Sequence, residues 1–177
     1  NISPGDLVVI GGVSNYGKTA FVLNMLGENL VKHLCLLMGN EYASLNGIPS
    51  PKFKRRMKRM TWAQWMDSNG KSKFDLLPIR EDYEDYIRPG YLNFIDWINL
   101  TDNFFRIGAI MENLKVNVGG GVAVAVLQKD EERELSRGKG FTRDMADLYL
   151  TIDPFGEHES RLTVGKVKDS KGYFGRL

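Results

Sequence analysis

At 177 residues, with 42% hydrophobic and 26% charged residues, the chain has the length and balance of one soluble globular domain with a sizeable core. A net charge of +2 is too small to argue for a polyanionic partner by itself, so any such contact must come from how charge is distributed. The single cysteine, Cys35, excludes an internal disulfide framework and a multi-cysteine zinc site, and fits a reducing, cytoplasmic compartment. No apolar run reaches the roughly 18 residues of a membrane span, and residues 1–10 lack the basic start and apolar centre of a signal peptide. The chain begins with Asn1 rather than Met, which suggests a piece of a longer protein.

The elements follow in chain order. Pro4-Gly5-Asp6 is a turn signal, and the β-branched run Leu7 to Ile10 after it predicts a buried strand. A Gly-containing loop follows. Lys18 to Lys32 then places Phe21, Val22, Met25, Leu26 and Leu30 on one helical face, and His33 to Met38 is a second apolar run. Strand, loop, helix and strand make the βαβ unit of a parallel sheet. Tyr42 to Pro51 is loop-like, with Asn46-Gly47 and two prolines; Lys52 to Met66 predicts a helix with Phe53, Met57 and Met60 on one face. From there to Pro89-Gly90 no period is firm.

Tyr91 to Asp96 predicts a third strand ending on a carboxylate. Thr101-Asp102 has the chemistry of a cap for a helix carrying Phe104, Ile107, Met111 and Leu114, stopped by Gly119-Gly120-Gly121. Gly121 to Leu127 predicts a fourth strand, ending at Gln128. A polar segment, Lys129 to Gly140, precedes two more strands at Leu148 to Ile152 and Arg161 to Val167. The expected fold class is α/β, a mainly parallel sheet flanked by helices.

Gly12-Val13-Ser14-Asn15-Tyr16-Gly17-Lys18-Thr19 carries the strongest chemical signal. Its small and flexible residues let backbone N–H groups converge on phosphates, and the helix N-terminus behind it favours an anion. Lys18 would reach the β- and γ-phosphate oxygens, and the Thr19 hydroxyl would join the magnesium shell. Asp96, at a strand end, is the matching magnesium carboxylate. Glu41, just past the second strand, is placed to orient and polarise an attacking water. Gln128, at the end of the fourth strand, has an uncharged amide suited to sensing the γ-phosphate and passing the change to the next loop.

Lys52 to Arg59 packs six cations into eight positions. The run is either a surface for a nucleic-acid backbone or the solvated face of an amphipathic helix. Arg133, Arg137, Lys139 and Arg143 form a looser cluster, diluted by Glu131, Glu132 and Glu134. His33 and His158 are isolated, and no serine or cysteine nucleophile constellation is present.

With the phosphate loop, Glu41, Asp96 and Gln128 in order at successive strand ends, the chain resembles the RecA-like ATPases. Within them it looks most like the hexameric DnaB-type replicative helicases. Pro4 to Ile10 leading into Gly17-Lys18-Thr19-Ala20-Phe21 is similar to that family's first motif, and Asp96-Trp97-Ile98-Asn99-Leu100 to its magnesium-site strand end. The resemblance covers roughly residues 2–41 and 91–171 of a single ATPase domain spanning 1–177, and leaves 42–90 as an insertion-like segment. It implies ATP and Mg2+ as cofactors, a homo-oligomeric ring or filament, single-stranded DNA as partner, and hydrolysis coupled to movement along it. It also implies that Lys166 and Lys168 act in trans on the γ-phosphate bound by a neighbouring subunit. The family usually has arginine where Lys168 stands, and a lysine lacks the planar fork. Lys129 to Arg143 looks like a DNA-contacting loop, with Arg133, Arg137 and Lys139 as phosphate contacts. A RecA- or RadA-type recombination or repair ATPase, and a regulatory ATPase acting on a protein, are the alternatives.

Overall fold

Leu7–Gly12 forms strand β1, and all six of its residues are buried, the pattern of a strand covered on both faces. The computed structural model describes residues 2–98, 106–129 and 140–169. Helix α1 (Lys18–Asn29), strand β2 (Cys35–Met38), helix α2 (Pro51–Arg59) and strand β3 (Asp75–Leu77) come next. A 3-10 turn (Tyr83–Tyr86), β4 (Leu92–Ile95), α3 (Arg106–Asn117) and β5 (Val122–Gln128) follow, then α4 (Gly140–Met145), β6 (Leu148–Phe155) and β7 (Glu159–Val167).

The strands form one seven-stranded sheet in the order β3-β2-β4-β5-β1-β6-β7. Every pairing is parallel except β6 with β7, a hairpin. Successive side chains on a strand point to opposite faces, and the core divides accordingly. Val9, Leu36, Met38, Ile95 and Ala125 pack with Ile107, Met111 and Leu114 of α3 on one face. Val8, Ile10, Leu37, Phe94 and Val124 pack with Val22, Leu23 and Leu26 of α1 and Phe53 of α2 on the other. Because β2, β4, β5 and β1 are parallel neighbours, their carboxyl ends share one edge of the sheet, where ligands of such sheets gather.

Several element bounds differ from expectation, each for a local reason. The first helix stops at Asn29 rather than Lys32, because the N–H groups of Lys32 and His33 both turn back to the Asn29 carbonyl. The second helix ends at Arg59 rather than Met66. Met60 N–H closes on the Met57 carbonyl, which also accepts from the Trp65 indole at 3.1 Å, so the helical ladder is consumed there. β3 has no counterpart among the expected elements: a three-residue edge strand is too short to show a period. α4 likewise has no counterpart among the expected elements; it begins at Gly140, where the expected polar segment ends. The expected α3 cap at Thr101-Asp102, Phe104, and Asn99-Leu100 lie outside the described residues.

Candidate functional site

The phosphate loop runs from the end of β1 to the first turn of α1, and its path depends on left-handed backbone. Gly17 sits at φ 92°, a region that L side chains rarely adopt, and Asn15 at φ 68° is the residue type that best tolerates it. The Lys18 ammonium donates to the carbonyls of Gly12 at 2.7 Å and Val13 at 2.6 Å, so its charge is held inside the loop. Burial pulls its pKa below the ordinary lysine value, and the Asp96 charge opposes that. Ser160 of the β6–β7 hairpin donates to the Tyr16 carbonyl at 3.1 Å and ties the loop to the neighbouring strands.

A cavity of ≈ 560 Å3 opens over this loop. Ser14, Asn15, Gly17, Lys18 and Thr19 line it together with Glu41, Asp96 and Gln128. The candidates from four strand ends therefore meet in one place. Gln128 pairs in register with Gly12, and its amide donates to the Ser14 hydroxyl at 2.9 Å. That bond joins the end of β5 directly to the phosphate loop. Glu41 also faces the cavity; its carboxylate lies 3.6 Å from the Lys52 ammonium and is half exposed.

Asp96 is 4% exposed. The Tyr42 hydroxyl donates to its carboxylate, and the Thr19 hydroxyl is close enough to act on both side chains. Burial pushes the Asp96 carboxyl above the usual aspartate range; Tyr42 and Thr19 oppose the rise, Glu41 adds to it, and Lys18 opposes it. Tyr42, 1% exposed, has its phenol pushed well above the ordinary value by burial and by the Asp96 charge. A hydroxyl and a carboxylate side by side are the hard oxygen donors that magnesium takes. Among the described residues no group of three or more His, Cys, Asp or Glu could hold a metal. The donor set thus fits an ion that completes its shell with water and substrate phosphates rather than a protein cage.

Two features of the site had no sequence signal assigned to it. Tyr42 sits in what the sequence presents as a loop, and only the fold carries its hydroxyl to Asp96. Lys52, Arg56 and Arg59 of α2 line the same cavity, while Phe53 is buried and Met57 and Met60 pack against the core. The apolar face of that helix is where the sequence puts it; what its cationic face looks at is not legible there.

Lys166 and Lys168 do not reach this cavity. Lys166 pairs with Tyr149 across the hairpin, and the Lys168 N–H bonds the Asp147 carbonyl, beside Leu7 at the opposite end of β1 from the loop. The Lys166 ammonium donates to the carbonyls of Arg143 and Asp144 at 3.0 and 2.6 Å, and that of Lys168 lies 3.3 Å from the Asp147 carboxylate. Arg133, Arg137 and Lys139 lie outside the described residues. No helix among the described residues is long and apolar enough to cross a membrane.

No family model matches the chain, and no curated protein does. Among solved structures it is similar to a KaiC-like protein from the hyperthermophilic archaeon Pyrococcus horikoshii OT3. The two superpose with a TM-score of 0.69 over 95% of this chain and 82% of that one, at 15% sequence identity. The fold is RecA-like. At that identity the likeness speaks for the fold alone, and it does not single out the DnaB-type helicases.

Proposed function

We propose that the chain is a magnesium-dependent ATPase that couples hydrolysis to movement along single-stranded DNA, working in a ring or filament of like subunits as DnaB-type helicases do. One observation carries the ATPase part: Lys18, Thr19, Glu41, Asp96 and Gln128, from the ends of four strands, open into a single cavity over a phosphate loop. The amides of Gly12 to Thr19 cradle the phosphates, and the Lys18 ammonium exchanges the Gly12 and Val13 carbonyls for phosphate oxygens. Thr19 and Asp96 would hold magnesium, which supplies charge neutralisation at the β- and γ-phosphate oxygens when bound. Glu41 orients the attacking water and draws its proton. The water oxygen bonds the γ-phosphorus as the bond to the β–γ bridging oxygen breaks, leaving ADP and inorganic phosphate. Gln128 feels the loss of the γ-phosphate, and its bond to Ser14 couples the loop to the segment after β5.

The DNA part is supported by the motif resemblance and by Arg133, Arg137, Lys139 and Arg143 in the mixed-charge segment that follows Gln128. Lys166 and Lys168 take no part in this cavity in cis; to serve a neighbour's γ-phosphate they would have to exchange the Arg143 and Asp144 carbonyls and the Asp147 carboxylate for it.

The test is the steady-state ATPase rate with and without single-stranded DNA, for the wild type and Glu41→Gln. Single-stranded DNA should raise the wild-type rate, more so at low salt. The substitution should lower turnover by about 10²–10⁴-fold, the range for a positioned general base, while nucleotide still binds. A rate indifferent to any nucleic acid would overturn the motor and favour a protein-directed ATPase. Unchanged turnover in the variant would remove Glu41 from the chemistry.

A further inference from the structure

The cationic run at 52–59 divides by helical phase. Lys52, Arg56 and Arg59, spaced i, i+4 and i+7, share one face of α2 and line the nucleotide cavity. Lys54, Arg55 and Lys58 are exposed and stand outside that lining.

α2 is fixed against the cavity at both ends. Ser50 caps it, accepting from Phe53 N–H at 3.2 Å, and also bonds the Glu41 carbonyl at 2.9 Å and, through its own N–H, the Tyr42 carbonyl at 2.7 Å. The start of the helix is therefore stapled to the segment carrying Glu41. Phe53 packs edge-on against Tyr42 at 4.9 Å and Phe74 at 6.3 Å, and Trp65 closes the far end through the Met57 carbonyl. The helix itself cannot swing away from the cavity without breaking that packing.

Charge says what the face is for. Arg56 is close enough to Tyr42 for its guanidinium to act on the phenol, and Tyr42 bonds Asp96 beside Thr19, the magnesium pair. Lys52 lies 3.6 Å from the Glu41 carboxylate. Lys18, Lys52, Arg56 and Arg59 outnumber the carboxylates of Glu41 and Asp96 in the cavity lining, an excess of positive charge that suits a polyanion. A nucleic-acid backbone would have to enter a cavity whose other wall is the phosphate loop. The terminal phosphate of a nucleoside triphosphate arrives there by binding the loop.

We propose that α2 is a γ-phosphate clamp acting in cis: Arg56 donates to the γ-phosphate oxygens, and Lys52 exchanges the Glu41 carboxylate for them, freeing Glu41 to face the attacking water. The clamp rests on the ATPase reading above. In the reaction already written it forms no bond of its own; it holds the three equatorial oxygens as charge moves toward the leaving ADP. This helix then adds to the discrimination of ATP from ADP, since ADP has nothing for Arg56 to hold.

The test uses the full chain as wild type, Arg56→Gln, Arg56→Lys, Lys52→Ala and, as a control on the opposite face, Lys58→Ala. Affinities for ATP, ADP and ADP with aluminium fluoride are measured beside single-turnover hydrolysis without DNA. Arg56→Gln should leave ADP affinity within about twofold, weaken ATP by about tenfold or more as a charged hydrogen bond is lost, and abolish the aluminium fluoride complex. Hydrolysis should fall by about 10³-fold, the scale of an arginine that stabilises phosphoryl-transfer charge. Arg56→Lys should regain part of the ATP affinity without the rate, because a point charge replaces the fork. Lys52→Ala should weaken ATP and spare ADP; Lys58→Ala should match the wild type. Equal losses for ATP and ADP would mean a structural role only and overturn the clamp. So would weakened single-stranded DNA binding with unaltered ATP affinity, which would make the face a DNA surface. A wild type that binds ATP but never turns it over would sink the ATPase reading, whereas the ATP-over-ADP preference would still report on the clamp.

Discussion

Asp147 offers the sharpest test of how the end of the sheet remote from the cavity is held. Its carboxylate, 9% exposed, accepts from the Leu7 N–H at 2.9 Å and from the Lys115 ammonium at 2.7 and 2.6 Å, with Lys168 at 3.3 Å. It thus ties the first residue of β1 to α3 and to the end of β7. Replacing it with alanine strands the buried Leu7 N–H, at about 1–3 kcal/mol, and removes the anchor of Lys115. Lys115 is 32% exposed and Lys168 65%, so both ammonium groups rehydrate, and their share is the small one of partly exposed pairs, on the order of 1 kcal/mol. Asp147→Ala should therefore cost about 3 kcal/mol in urea unfolding at pH 7, and Asp147→Asn, whose amide oxygen still accepts from Leu7, about 1 kcal/mol.

The pH dependence has a definite sign. Burial alone would raise the Asp147 carboxyl, but the bonds from Lys115, the Leu7 N–H and Lys168 outweigh it and hold the carboxyl below its ordinary value. A depressed carboxylate contributes stability that is complete above its unfolded pKa, about 3.9, and is lost as pH falls through the lower folded value. The gap between wild type and Asp147→Asn should be full at neutral pH and close only below about pH 4. Alanine and asparagine variants of equal stability would refute the role given to the Leu7 bond, and a gap that widened on acidification would refute the sign.

Two further outcomes are expected. Cys35 is 2% exposed, and burial raises its thiol to about 11; a thiol reagent at neutral pH should leave it unmodified until denaturant is added, and reaction in the native state at the unfolded rate would contradict its burial. Gly39→Ala would place a Cβ 2.2 Å from the Asp96 carbonyl oxygen and 3.0 Å from the Tyr42 ring. The ends of β2 and β4 must part to admit it, so the melting temperature and ATP turnover should both fall, the overpacking costing about 1–3 kcal/mol; an unaltered rate would show that the strand ends are not held as closely as their spacing implies.

Legibility tracked the length and regularity of each signal. β1, β2, β4 and β5 are near-continuous apolar runs, so their existence was plain, and the loop between β1 and α1 carried its own glycines, lysine and threonine. β3 was hidden because three residues beside a charged side chain show no period, and it holds its place only by pairing with β2. The expected long helix after Pro51 was cut short at Arg59 by Trp65, a contact from beyond the helix itself that no helical period encodes.

The sequence by itself determined the phosphate loop, the strand-end positions of Glu41, Asp96 and Gln128, and the apolar face of α2, because each depends on residue type and spacing along a few neighbouring positions. Which side chains meet across the sheet was decided by the tertiary structure. Strand order brings β2, β4, β5 and β1 side by side and turns four separated residues into one cavity. The same order sets Tyr42 on Asp96, and packing of Phe53 under α2 turns Lys52 and Arg56 toward the cavity. Those contacts join residues far apart in the chain, and local pattern carries no information about which distant surface a charged face will meet.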